Sequence, residues 1–272
     1  MFDFIKSELG QFNIDLVSCL RLDECEIKRG YLLEKNDIKD GSVIIFAVPY
    51  LTPISFGERN VSSYAVSKDY HYFFNSIFES IILKLKNTYP QYNFAAFSDH
   101  SPINEIDAAV RGGLGVQGNN NLLITEKYSS YVFLGEIITS ALLPSLAKEK
   151  RYCQNCGKCE NLCPAKKGNS IECLSSVTQK KGDLSKEEIS AIKENGCAWG
   201  CDICQQVCPH TQNAIKNETI FTNVDYFYQS PTPHLTSEQI ECMEKDEFSL
   251  RAYSWRGKNV IIRNLKILEE EE

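Results

Sequence analysis

The stretch RYCQNCGKCENLCPAKKG, residues 151–168, spaces its cysteines as Cys-x2-Cys-x2-Cys-x3-Cys-Pro, placing Cys153, Cys156, Cys159 and Cys163 ahead of Pro164. Little periodic hydrophobicity accompanies them from 151 to about 211, so this region must be organised by what the thiolates hold. The spacing is that of bacterial ferredoxin clusters, where three cysteines wrap one iron-sulfur cube and the fourth ligates the other cluster of a pair. A second batch, NGCAWGCDICQQVCPH at 195–210, mirrors the ending as Cys201-x2-Cys204-x3-Cys208-Pro209. Exchange between the batches predicts one 4Fe-4S cluster on Cys153, Cys156, Cys159 and Cys208. The second would take Cys163, Cys201, Cys204 and one further thiolate, for which Cys173 and Cys197 are the candidates. Zinc also uses Cys-x2-Cys pairs, but structural zinc rarely takes three cysteines in succession at this spacing with a proline after the fourth.

Twelve cysteines in a chain without an export-type N-terminus point to metal or redox chemistry, because the cytosol keeps ordinary thiols reduced. MFDFIKSELG carries acids where a secretory signal would be basic and apolar, and the longest apolar run, SVIIFAVPYL at 42–51, falls far short of the roughly 20 residues of a membrane span. A cytoplasmic, monomeric protein with no membrane anchor is expected. The net charge of -7 disfavours a large basic surface for nucleic acid, leaving room for a local patch. Cys19, Cys25 and Cys242 stand alone and read as isolated thiols.

The first half reads as an α/β layer. Residues 1–40 suit a helix and a short strand, and GSVIIFAVPYL is a strand buried on both faces. DYHYFFNSIFESIILKLKNTYP at 69–90 has apolar positions at helical spacing and a proline stop, followed by a strand in YNFAAFS. NEIDAAVRGGLGVQGNNNLLIT begins as a helix, breaks at Gly112 and Gly113 and leads into an apolar segment; YVFLGEIITSALLP reads as another strand and KNVIIRNLKILEEEE as a terminal helix. The expected domains are 1–150, 151–215 for the clusters, and 216–272 as an extension packing on the core. Clusters say only that electrons move, so the first 150 residues should bind what receives or supplies them.

IECLSSVTQKKG followed by GCDICQQVCP resembles the iron-sulfur domain of the epoxyqueuosine reductase family. Upstream, YAVSKDYH resembles that family's Arg-Asp-Tyr-His segment, SDHSPINE its Asp-Ser-Ala-Pro-x-x-Glu segment, and GGLGVQGNNNLLI its Ala-Gly-Leu-Gly-x-x-Gly-Lys-Asn segment; LGEIITSALLP fits as well. The resemblance covers about 60–210. It implies an N-terminal α/β domain similar to reductive dehalogenases that carries base-off cobalamin, followed by a ferredoxin-like domain with two 4Fe-4S clusters. It further implies Asp99 as proton donor to the departing epoxide oxygen, and Cys173 over Cys197 as the eighth cluster ligand. Gly113, Gly115, Gly118 and Asn119, with Tyr70 and His71, become candidate cofactor contacts. The residues alone read otherwise: Asp99 as a turn or cap before Pro102, the glycines as a strand-to-helix turn, Tyr70 as a core aromatic and His71 as a capping residue.

Asn119 stands where the family has lysine, Ile106 where it has arginine, and the chain ends before the helical-repeat region of typical members. The resemblance therefore implies a short-form reductase acting on epoxyqueuosine in tRNA or on a related modified nucleoside, fed by a donor such as ferredoxin or flavodoxin. The competing expectation is a two-cluster electron carrier that reduces a partner corrinoid protein.

Overall fold

The computed structural model describes residues 1–166 and 171–270. Two compact units share the chain, one formed by Met1–Tyr50 with His71–Asn155, the other by Leu51–Tyr70 with Cys156–Glu272. The fold is mixed α/β.

The first unit is built on strands β1 (Leu16–Arg21), β2 (Ser42–Pro49), β3 (Phe94–Phe97), β4 (Val116–Gln117), β5 (Leu123–Ile124) and β6 (Val132–Thr139). Four of them make a sheet in the order β1-β2-β6-β3, antiparallel at every step, while β4 and β5 pair separately. Every residue of β2 is buried, as its uninterrupted apolar run requires of a strand with neighbours on both edges and helices on both faces. The helix Tyr70–Thr88 follows from apolar positions recurring every three or four residues, and it buries Phe73, Phe74, Ile77, Phe78, Ile81 and Leu85. Phe74 stacks on Phe46 with ring centroids 6.0 Å apart, which brings this helix onto the Ile44, Phe46 and Val48 face of the sheet. On the opposite face Val43, Ile45, Ala47 and Ile138 form a core with Ala108, Ala109 and Val110 of the helix Glu105–Arg111. Asn104 caps that helix by accepting from the Asp107 amide at 3.2 Å.

Short helices make up the second unit. Its main core surrounds Trp199, fully buried, with Val61, Ala65, Ile240, Tyr253, Ile261 and Leu265. The indole Nε1 donates to the Tyr64 hydroxyl at 2.8 Å. From the helix Lys258–Glu269, buried Asn264 donates through Nδ2 to the carbonyls of Thr178 at 2.7 Å and Ala198 at 2.8 Å. One amide thus ties the segment after Cys173 to the segment before Cys201.

The partition by contact runs differently from boundaries at 150 and 215. Residues 51–70 join the second unit because their backbone pairs there: Ala198 N donates to Asn60 O and Ser62 N to Trp199 O, both at 2.7 Å. The segment 216–272 shares one core with the cysteine region through Trp199 and Tyr253. The terminal glutamates Glu271 and Glu272, and residues 167–170 between Cys163 and Cys173, lie outside the described residues.

Candidate functional site

In the first unit, Asp99 sits in the turn after β3 with a left-handed φ of 63°, a conformation Asp tolerates through its short polar side chain. The side chain is 59% exposed, and its Oδ2 lies 3.3 Å from His71 Nε2, near the start of the helix Tyr70–Thr88. The Asp99 amide donates to Glu105 Oε1 at 3.3 Å. The sequence offers His71 as a candidate cofactor contact and Asp99 as a proton donor, and the structure makes the two neighbours. Tyr70, half-buried, opens the same helix.

Behind Asp99 lies an acid that sequence reasoning passed over. Glu136 on β6 is fully buried, cross-strand from Ile45 on one side and Phe97 on the other. Neither carboxylate oxygen has a hydrogen-bond partner of good geometry among the described residues, its polar neighbours being the Ser101 hydroxyl and Glu105. Burial pushes its carboxyl well above the ordinary carboxylate range, and the charge of Glu105 adds to the effect. Glu105 itself is pushed up to about 7, first by burial and then by the charge of Asp99, while Arg29 pulls it down. The signal was present in the sequence: an acid in the middle of VFLGEIIT, at a position of the same parity as Leu134 and Ile138.

The glycine segment closes on itself. A Cβ at Gly115 would come 2.8 Å from the carbonyl carbon of Ile124, and one at Gly118 would come 2.8 Å from Ile124 Cδ1, so both glycines are required for the β4-β5 turn to fold against its own chain. Gly113 takes a φ of +75° directly after the helix Glu105–Arg111. Asn119 is exposed, with its Nδ2 bonded to Asn155 Oδ1 and its Oδ1 3.6 Å from Cys153 Sγ. Cys153 is fixed beside this turn by backbone pairing, its amide donating to Gln117 O and Gln117 N to Arg151 O, each at 2.9 Å.

None of the twelve cysteines is joined in a disulfide. In the first batch the chain turns tightly on either side of exposed Cys156, at Asn155 with φ 53° and at Gly157 with φ 74°, ahead of half-buried Cys159. In the second unit, Cys208 precedes the helix Pro209–Lys216, with Pro209 at its first position where a missing N–H costs nothing. Asp202 anchors this turn: it accepts from Arg59 Nη2 and the Ser63 amide, both at 2.7 Å, and from Ser63 Oγ at 2.8 Å. Cys197 and Cys201 share the wall of a 390 Å³ cavity with Arg59, Asp202 and His234. Burial holds both thiols up at about 12. Cys197 Sγ lies 3.3 Å from each of the carbonyls of Trp199 and Gly200, so its S–H is satisfied within its own turn. Cys173 is exposed and opens instead on a 510 Å³ cavity lined by Ser175, Ser176, Lys180 and Arg256. Among the described residues no three His, Cys, Asp or Glu side chains converge closely enough to hold a single metal ion. No helix among them is long and apolar enough to cross a membrane.

The mixed α/β fold of this chain is that of the epoxyqueuosine reductases. The solved enzyme from Streptococcus thermophilus superposes with a TM-score of 0.77 over 97% of this chain and 80% of its own, at 22% identity. An epoxyqueuosine reductase solved with an epoxyqueuosine-modified tRNA-Tyr stem loop gives 0.75 over 98% of this chain and 80% of its own, also at 22%. By sequence, the epoxyqueuosine reductase of Lactococcus garvieae is 30% identical over 211 residues, 73% of this chain and 58% of that protein. That of Atelocyanobacterium thalassa is 32% identical over 200 residues, 70% of this chain and 64% of that protein. No protein-family model matches. The chain belongs to the epoxyqueuosine reductase family, and it spans less than two thirds of the length of these two relatives.

Proposed function

We propose that this protein is an oxidoreductase that reduces the epoxide of epoxyqueuosine in tRNA, or of a closely related modified nucleoside, with two 4Fe-4S clusters and cobalamin. The observation that carries the reading is Asp99 in a strained, exposed turn, with His71 before it and half-buried Glu105 and buried Glu136 behind it, in a chain of this family. The Bacillus subtilis enzyme has been solved with its catalytic aspartate loop swung out of the active site, and Asp99 likewise sits on a loop. A relative bound to a modified stem loop supports tRNA as the substrate. An electron carrier without chemistry of its own would have no use for this acid cluster.

The donor set fits the clusters: soft thiolates outside any disulfide, at the spacing that cubane clusters use. Cys153, Cys156, Cys159 and Cys208 hold one cluster, and Cys163, Cys201, Cys204 and Cys173 the other. The satisfied thiol of Cys197 supports Cys173 as the eighth ligand; the cavity wall that Cys197 shares with Cys201 favours the second reading, with Cys197 in that place. For the corrin, the exposed Asn119 amide and the His71 ring suit its rim of amide side chains, while Gly113, Gly115 and Gly118 supply the turn that presents Asn119. Cobalamin, when bound, would supply low-valent cobalt to carry electrons to the epoxide. Asp99 protonates the departing oxygen, and His71 orients its carboxyl. Residues 1–150 serve cofactor and substrate, 151–215 the ferredoxin-like electron path, and 216–272 the support beneath it. A ferredoxin or flavodoxin supplies the electrons, in the cytoplasm.

Anaerobic purification with metal and sulfide analysis tests the cofactors: about eight irons per chain are expected, with a change in the cobalamin spectrum on binding. Asp99→Asn should lower epoxide turnover by roughly 10²–10⁴ without altering iron content. Full turnover by this variant would remove Asp99 from the chemistry.

A further inference from the structure

The reduction has a proton problem that one acid does not solve. Turning an epoxide into an alkene and water breaks two C–O bonds and consumes two electrons and two protons. The electrons arrive through the iron-sulfur centres from a low-potential protein donor. Asp99 holds one proton, so a second has to reach the same place before the oxygen leaves as water.

The structure of the first unit places carboxyl groups where such a proton can be kept. Glu136 is sealed from solvent on the apolar face of β6, between Ile45 and Phe97, with both oxygens lacking good partners among the described residues. An acid so placed is far less costly neutral than charged. Glu105 stands between it and the surface, at the first position of the helix Glu105–Arg111 and in hydrogen-bond contact with the Asp99 amide at 3.3 Å. We propose that Glu136 and Glu105 hold a shared proton behind Asp99 and pass it forward through Glu105, so that Asp99 is recharged within a turnover.

This rests on the reading of Asp99 as the acid. Asp99 gives its proton to the substrate oxygen and takes one from Glu105, which is refilled by Glu136; solvent restores the pair afterwards. Glu105 and Glu136 are positioning residues that act through Asp99. The other groups facing the pair fit this role. Ser101, whose carbonyl accepts from Arg29 Nη1 at 3.0 Å, is the hydroxyl beside Glu136, and Arg29 is the nearby cation that keeps Glu105 able to release its proton. His71 lies on the far side of Asp99 and stabilises its charged form after transfer.

The test uses the full chain in two measurements. Infrared titration without substrate or added cobalamin should show a protonated carboxyl C=O band persisting at neutral pH, lost in Glu136→Gln and altered in Glu105→Gln. Turnover of the epoxide should fall about tenfold in kcat for Glu136→Gln with KM unchanged, a smaller loss than removing the acid itself because water can refill Asp99 slowly. A wild-type spectrum with no such band overturns the proposal whatever the kinetics. A band removed by Glu136→Gln with kcat unchanged also overturns it, leaving the pair structural. A wild-type chain that shows the band but reduces no epoxide overturns the function proposed above and leaves the shared proton standing. Glutamine is near-isosteric with a protonated glutamate and puts no charge in the core, so folding is not at risk at Glu136; Glu105→Gln serves as the independent second variant.

Discussion

Charge on Glu136 would have to be carried on the buried face of a four-stranded sheet, next to a second acid. Its folded pKa is raised, and so is that of Glu105, from 4.5 to about 7. For such groups the native state keeps a proton that the unfolded chain has released. Their contribution to stability is therefore fully present below the unfolded value and is lost as pH rises through the folded one. Glu136→Gln should be more stable than wild type in denaturant melts at neutral and higher pH, with the difference shrinking as pH falls into the ordinary carboxylate range. Equal pH slopes for the two proteins would show that Glu136 is not a raised acid. Asp99 was legible in the sequence only through the family motif, since alone it reads as a turn residue, and it is indeed also one, at a φ of 63°. Glu136 escaped because a strand assignment built on LGEIITS counts the apolar residues and lets one acid pass, although its parity with Leu134 and Ile138 marks it as inward-facing.

Elements whose signal is local were the legible ones. The run SVIIFAVP became β2, and the helical spacing of 70–88 became the long helix, because burial of one strand or one helix face is written in adjacent residues. Sheet order was not legible: β6 inserts between β2 and β3, which leaves those two parallel with an antiparallel strand between them, and nothing within either strand encodes that neighbour. Gly135 records the packing instead. A Cβ there would meet the Phe74 ring and come 2.8 Å from Phe46 Cζ, so the close fit of helix on sheet depends on the missing side chain. Gly135→Ala should cost about 1–3 kcal/mol by overpacking, with a lowered thermal midpoint as the readout; an unchanged midpoint would mean the helix can shift at little cost. The glycines of GGLGVQG carry two readings in the sequence, room for a cofactor and a turn, and Gly115 and Gly118 lie close against Ile124 of their own hairpin. A glycine pattern shows that something approaches closely, without saying what.

At the scale of the whole molecule the two cysteine batches were the plainest feature, since cluster chemistry dictates spacing directly. The proposed eighth ligand is the point where two readings, Cys173 and Cys197, each have an observation behind them, and metal content decides between them. Cys173→Ala should lower iron toward about four per chain, while Cys197→Ala keeps about eight; the reverse result would move the ligand to Cys197. Membership of residues 51–70 in the second unit was not legible, because Asn60 and Ser62 find their backbone partners at Ala198 and Trp199, far along the chain. That detour sets an order of events during synthesis. Residues 51–70 leave the ribosome early, yet Val61 and Ala65 have no core to enter until Trp199, Ile261 and Leu265 have been made. The first unit can begin to close as soon as its own sheet is complete, whereas the second waits for Ile261 and Leu265, about two hundred residues after Val61, and pairing over such separations is slow. The cysteines on either side of Trp199 therefore reach their final places only after the helix Lys258–Glu269 has been made, so the second unit is the later of the two to form.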